Sequence, residues 1–204
     1  MQELPRFWDG LRMRDRYGVG PNSGNCLHAT QIALSICDYY EIKAQPMFGV
    51  FMALNKKGYR CFKNNTPPDQ WPPAAWSVGV MLEEPTEHTI GGHAFVAAEQ
   101  DGEDYIIDLA ADHAARPSKG INIGPLALPV SEAIEVINWA QAGVTYVWRI
   151  GQTYVAYSGG TSEWTPPWEW DTVPNGYQLE RNQPEIDDMI RAIDAELQPQ
   201  EHEG

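Results

Sequence analysis

Three side chains in this sequence have the types and order needed for nucleophilic chemistry. They are Cys26 in NSGNCLHATQIALSICDYY, His93 in GGHAFVAAEQ and Asp108 in DYIIDLA. A thiol attacks a carbonyl carbon as the thiolate, and an ordinary cysteine holds little of that form at neutral pH. A helix N-terminus and a neighbouring imidazolium both favour the anion. A carboxylate behind the imidazole orients it and stabilises its charged form, the logic of nucleophile, base and orienter. The backbone N–H of Cys26 is a natural oxyanion donor, with Asn22, Asn25 and Tyr17 as unranked candidates for a second.

The elements that must position these groups can be read locally. Asn25 suits the N-cap of a helix opening at Cys26, because its side chain accepts from an unpaired backbone N–H. Ala29, Ala33, Ile36, Cys37 and Tyr40 then recur at three- and four-residue steps, a face packed on a core. Cys37 lies about three turns along that stripe, by the 3.6-residue period, and reads as a small buried hydrophobe. Asp101-Gly102 separates HAFVAAE from DYIIDLA and is a preferred pair for a type I′ hairpin turn. That turn sets Gln100 opposite Glu103, Phe95 opposite Asp108 and His93 opposite Ala110. His93 and Asp108 then share a face as diagonal neighbours, roughly 7–8 Å apart at the backbone. A slip of one residue would put them on opposite faces.

Around this centre the reading is coarser. Residues 1–21 suggest a short helix and a loop. Strands are expected in PMFGVFMAL, WSVGVMLE, VTYVWRI and TYVAYSG, the last two joined at Gly151-Gln152. NKKGYRCFKNNTPPDQWPPAAW reads as one long polar, proline-rich loop, with Cys61 incidental and Trp71 and Trp76 pinning it or lining a groove. ADHAARPSKGINIGPLALP reads as loop with a short strand. Ser131 suits the cap of a helix, SEAIEVINWAQ, with Ala133, Ile134, Ile137 and Trp139 or Ala140 on its apolar side. EWTPPWEW is excluded from a helix interior or a central strand by its prolines and reads as a surface wrap, with a lid or an aromatic substrate wall as the alternative. From Pro184, the spacing of Ile186, Met189, Ile190, Ile193 and Leu197 predicts an amphipathic helix, either docked on the body or binding a partner, with an acidic tail.

Composition sets the outer bounds. At 204 residues a single domain is favoured. The formal net charge of −14 argues against a general nucleic-acid binder, which needs clustered Lys and Arg. It fits a solvated acidic surface or, less directly, an acidic partner for a basic protein. Three cysteines without CxxC spacing make no disulfide framework and point to a reducing compartment. No stretch resembles a signal peptide or a membrane span of about 20 apolar residues, so the expected setting is soluble and cytoplasmic, with no membrane partner. His88, His93, Asp108 and Cys26, with His113 nearby, fit no zinc spacing; no metal and no cofactor are expected.

A helix-opening cysteine, then GGHAFV, then an aspartate in YIIDLA resembles the core of the transglutaminase-like superfamily of papain-like thiol enzymes. The resemblance implies an α+β fold in which the cysteine helix packs on an antiparallel sheet whose adjacent strands carry histidine and aspartate. It implies Cys26 as nucleophile, His93 as general base and acid, and Asp108 as orienter. The single domain would comprise a core over about 20–158, a Trp/Pro-rich wrap over 159–183 and a terminal helix and tail over 184–204. The implied activity is a covalent acyl-enzyme formed from an amide or thioester carbonyl, with a cysteine peptidase or amidase as the default and a peptide or protein as substrate. Acyl transfer on the same three residues is the alternative, and arylamine N-acetyltransferases share the core order. A different class of reading is a non-catalytic acidic binding or inhibitory protein on this scaffold.

Overall fold

The structure is a computed structural model that describes residues 25–80, 92–139, 142–159 and 179–197. Its organising strand is β1 (Lys43–Asn55), long enough to serve three neighbours. Along one edge β1 pairs first with β3 (His93–Gln100), from Lys43 to Gly49, and then with β2 (Ser77–Val80), from Phe51 to Leu54. Its other edge pairs with β8 (Thr153–Gly159). With β4 (Glu103–Asp108), β5 (Leu126–Pro129), β6 (Glu135–Trp139) and β7 (Gly143–Ile150), the strands form one antiparallel sheet in the order β5-β4-β3-β1-β8-β7-β6, with β2 beside β1. The sheet curls into a half-barrel and, with the three α-helices of the described residues, makes an α+β architecture.

The β3–β4 register is the one the Asp-Gly turn dictates. Asp101 and Gly102 both take positive φ, 53° and 80°, as a type I′ turn requires. Gln100 faces Glu103, and the ladder runs on to Val96 opposite Ile107. β7 and β8 likewise close around Gly151-Gln152, with Ile150 opposite Thr153.

Strand parity divides the core. On one face, Val96, Ala98, Ile107 and Leu109 meet the apolar stripe of helix α1 (Asn25–Tyr39), which contributes Ala29, Ile32, Ala33, Ile36 and Cys37. Ile186, Met189, Ile190 and Ile193 of the terminal helix α3 (Leu179–Leu197) complete that layer. Tyr40, just beyond α1, donates to Asp194 of α3 at 2.8 Å. The terminal helix is therefore docked on the cysteine helix, the first of the two roles its pattern allowed. Further along the same face, Val50, Met52 and Leu54 pack with Phe62 and Ala156. The other face holds Phe51, Phe95, Leu126, Leu128, Trp148, Val155 and Tyr157.

Four expectations need correction. Helix α1 begins at Asn25, so Cys26 is its second residue and Asn25 is not a residue outside it. The supposed long loop opens with helix α2 (Lys56–Lys63), on which Cys61 and Phe62 are buried. Asn55 organises this region: its side chain caps Gly58 N–H at 2.8 Å, accepts from Trp76 N–H at 3.2 Å, and donates to Ala74 O and Lys119 O. Gly58 is needed there, since a Cβ would lie 2.3 Å from the Trp76 carbonyl oxygen. The segment read as the helix SEAIEVINWAQ is a short 3-10 turn followed by β6. Its Glu135, Ile137 and Trp139 are half-buried while Val136 and Asn138 are exposed, a period of two suited to β-branched residues on an edge strand. The terminal helix starts at Leu179 and carries Pro184 inside it, so the 184 boundary moves forward. Residues 1–21 and most of the Trp/Pro-rich stretch after Gly159 lie outside the described residues.

Candidate active site

The site is built where β3 begins and β4 ends. His93 is the first residue of β3 and Asp108 the last of β4. Their side chains meet in a hydrogen bond of 2.7 Å between Nε2 and Oδ2. Both are buried, with His93 4% and Asp108 1% exposed. A buried carboxylate must be satisfied, and this one is. Oδ1 accepts the Ala110 N–H at 2.9 Å, and Oδ2 also accepts the Tyr157 hydroxyl at 2.7 Å.

Cys26 reaches this pair from the helix. Parity sets His93 and Asp108 on the same face as Phe51, Phe95 and Tyr157, opposite the body of α1. Cys26 nevertheless lies close enough to His93 to help raise the imidazole above its ordinary value. His93 stands at the very start of β3, where its partner on β1 is Gly49. With Nε2 engaged by Asp108, Nδ1 is the ring nitrogen left for the thiol. Cys26 is half-buried, whereas Cys37 and Cys61 are buried.

The electrostatics follow from the geometry. Burial alone would lower the pKa of His93, but the charge and hydrogen bond of Asp108, followed by Cys26, outweigh it and raise the imidazole above its ordinary value. For Tyr157, burial and then Asp108 push the phenol well above its usual range. It is a neutral donor throughout the working pH range. Around the imidazole the walls are aromatic: the Phe51 ring centre is 5.0 Å from both His93 and Tyr157, and Phe95 stacks on His93 at 6.3 Å. In that low-dielectric surrounding each hydrogen bond is strengthened, as is the cost of leaving one unmade. Burial also carries Cys37 up to about 12, in keeping with a core thiol.

No family model, curated protein or solved structure matches this chain.

The structure brings together the three side chains singled out in the sequence, Cys26, His93 and Asp108. Among the oxyanion candidates Asn22 and Tyr17 lie outside the described residues, as does His88. His113 sits in a 3-10 turn after β4. Among the described residues no group of three or more His, Cys, Asp or Glu is arranged to hold a metal ion. Tyr157 and the Ala110 N–H are the participants that local reading missed. TYVAYSG did carry a signal, because a tyrosine on a core strand needs a partner for its hydroxyl. The partner itself depends on β8 lying beside β1, which no local pattern gives.

Proposed function

We propose that this chain is a thiol enzyme of transglutaminase-like type, acting on an amide or thioester carbonyl through a covalent acyl-enzyme on Cys26. The observation that carries the reading is the buried hydrogen bond between His93 and Asp108, with Cys26 near enough to act on the same imidazole. In this scheme His93 takes the thiol proton and the sulfur attacks the carbonyl carbon. The Cys26 backbone N–H, near the start of α1, faces the developing oxyanion. Collapse breaks the bond to the leaving amine or thiol, which takes its proton from His93. Water then attacks the thioester with His93 as base, and Cys26 returns as thiol when the acid leaves. Hydrolysis is the default because water needs no second binding site.

Limited iodoacetamide labelling, read peptide by peptide with mass spectrometry, tests this. Cys26 is expected to label first, and His93→Ala is expected to slow it by roughly 100-fold, the low end of what a positioned base contributes. Labelling of Cys26 that is unchanged by His93→Ala would overturn the reading.

A further inference from the structure

Asp108 presents one oxygen, Oδ2, to two donors at the same distance: His93 Nε2 and the Tyr157 hydroxyl, each at 2.7 Å. Its other oxygen is held by the Ala110 N–H, so the carboxylate cannot rotate without breaking at least one bond. Tyr157 is itself fixed. It lies opposite Phe51 across the β1–β8 ladder, and its ring packs edge-on against Phe95 at 5.2 Å and Trp148 at 6.2 Å. We propose that Tyr157 is a positioning residue that both aims Asp108 at His93 and limits how tightly Asp108 holds the imidazole proton.

The physical ground is competition for one lone-pair-bearing atom. A phenol hydrogen bond draws negative charge from the carboxylate oxygen on which the imidazolium also depends. Without it, the oxygen would be the stronger partner for His93. The groups facing His93 are few among the described residues: Cys26 from α1, Asp108 from β4, the apolar rings of Phe51 from β1 and Phe95 from β3, and Tyr157 from β8 through Asp108. Among the described residues Asp108 is the one carboxylate paired with His93, so its other donor, Tyr157, is the natural control on this proton. A base that must give its proton to a leaving group works best when that proton is not held too firmly. The catalytic meaning of this control rests on the thiol-enzyme reading; the control itself does not.

The experiment is a pH titration of His93 by NMR, on the full chain with labelled histidine, paired with the pH profile of Cys26 alkylation. Tyr157→Phe keeps the ring and removes only the hydroxyl. It is expected to raise the His93 midpoint by about one pH unit and to move the alkylation profile the same way. Site-specific replacement of Tyr157 by 3-fluorotyrosine keeps the fold and strengthens the donor; it is expected to lower the midpoint. A midpoint that stays put or moves the other way in either protein overturns the inference, because a merely structural tyrosine would change stability without this pair of opposite shifts. Opposite shifts accompanied by Cys26 labelling that ignores His93 would sustain the control by Tyr157 and sink only the thiol-enzyme reading.

Discussion

Two carboxylates in this molecule take the same pair of partners, a tyrosine hydroxyl and a nitrogen cation, in opposite surroundings. Asp108 receives Tyr157 and His93 in the buried layer of the sheet. Glu135, on edge strand β6, receives Tyr59 and Lys63 of helix α2. Tyr59 stacks on Tyr154 at 4.0 Å, so this second cluster braces α2 against the sheet. Lys63 is half exposed and Glu135 is about a quarter exposed, and solvent screens what they gain from each other. The same chemical vocabulary thus makes a solvent-screened brace at the rim and a buried, fully hydrogen-bonded cluster in the interior. Burial decides which, since it multiplies both the strength of the bonds and the cost of leaving them unmade.

The largest effect should come from breaking the interior cluster. Asp108→Ala leaves His93 and Tyr157 without their acceptor and is expected to cost roughly 3–5 kcal/mol in urea-unfolding stability, the scale of a broken buried pair. A cost below about 1 kcal/mol would put Asp108 on a par with surface groups and erase the contrast.

A pH series sharpens it further. His93 is raised in the folded protein, so its pairing contributes fully below its unfolded value of 6.5 and is lost as pH rises through the higher folded value. Glu135 is lowered, first by its hydrogen bond from Lys63 and then by that from Tyr59, so its contribution is present above 4.5 and is lost as pH falls through the lower folded value. Comparing the wild type with His93→Asn should therefore show a difference of roughly 1.5–3 kcal/mol on the acid side that shrinks with alkali. A difference that grew with alkali would contradict the pairing.

The smallest effect belongs to the rim. Glu135→Gln is expected to cost about 0.2–1 kcal/mol and to leave the rate of Cys26 alkylation unchanged. Slowed alkylation would show the two clusters to be coupled.

What was legible in the sequence follows from how local each determinant is. The β3–β4 register was readable because Asp101-Gly102 fixes it within the hairpin, and with it the meeting of His93 and Asp108. The α1 stripe, including the core role of Cys37, was readable from its period. β6 was misread because SEAIEVINWAQ satisfies helical spacing as well as alternation; its pairing with β7, Val136 opposite Tyr146, decides the matter. Helix α2 was hidden because its cap, Asn55, stands at the end of a strand and draws its remaining partners from Ala74, Trp76 and Lys119. Tyr157 was invisible for the same reason at greater range.

The pairing of β1 with both β3 and β8 also bears on how the chain reaches this state. α1, β1 and the β3–β4 hairpin all precede Leu109, whereas β8 joins β1 by matching Asn55 with Thr153, and α3 comes later still. Contacts so distant in sequence close late and slowly. During synthesis, His93 and Asp108 can therefore meet before the tyrosine that completes their environment has left the ribosome.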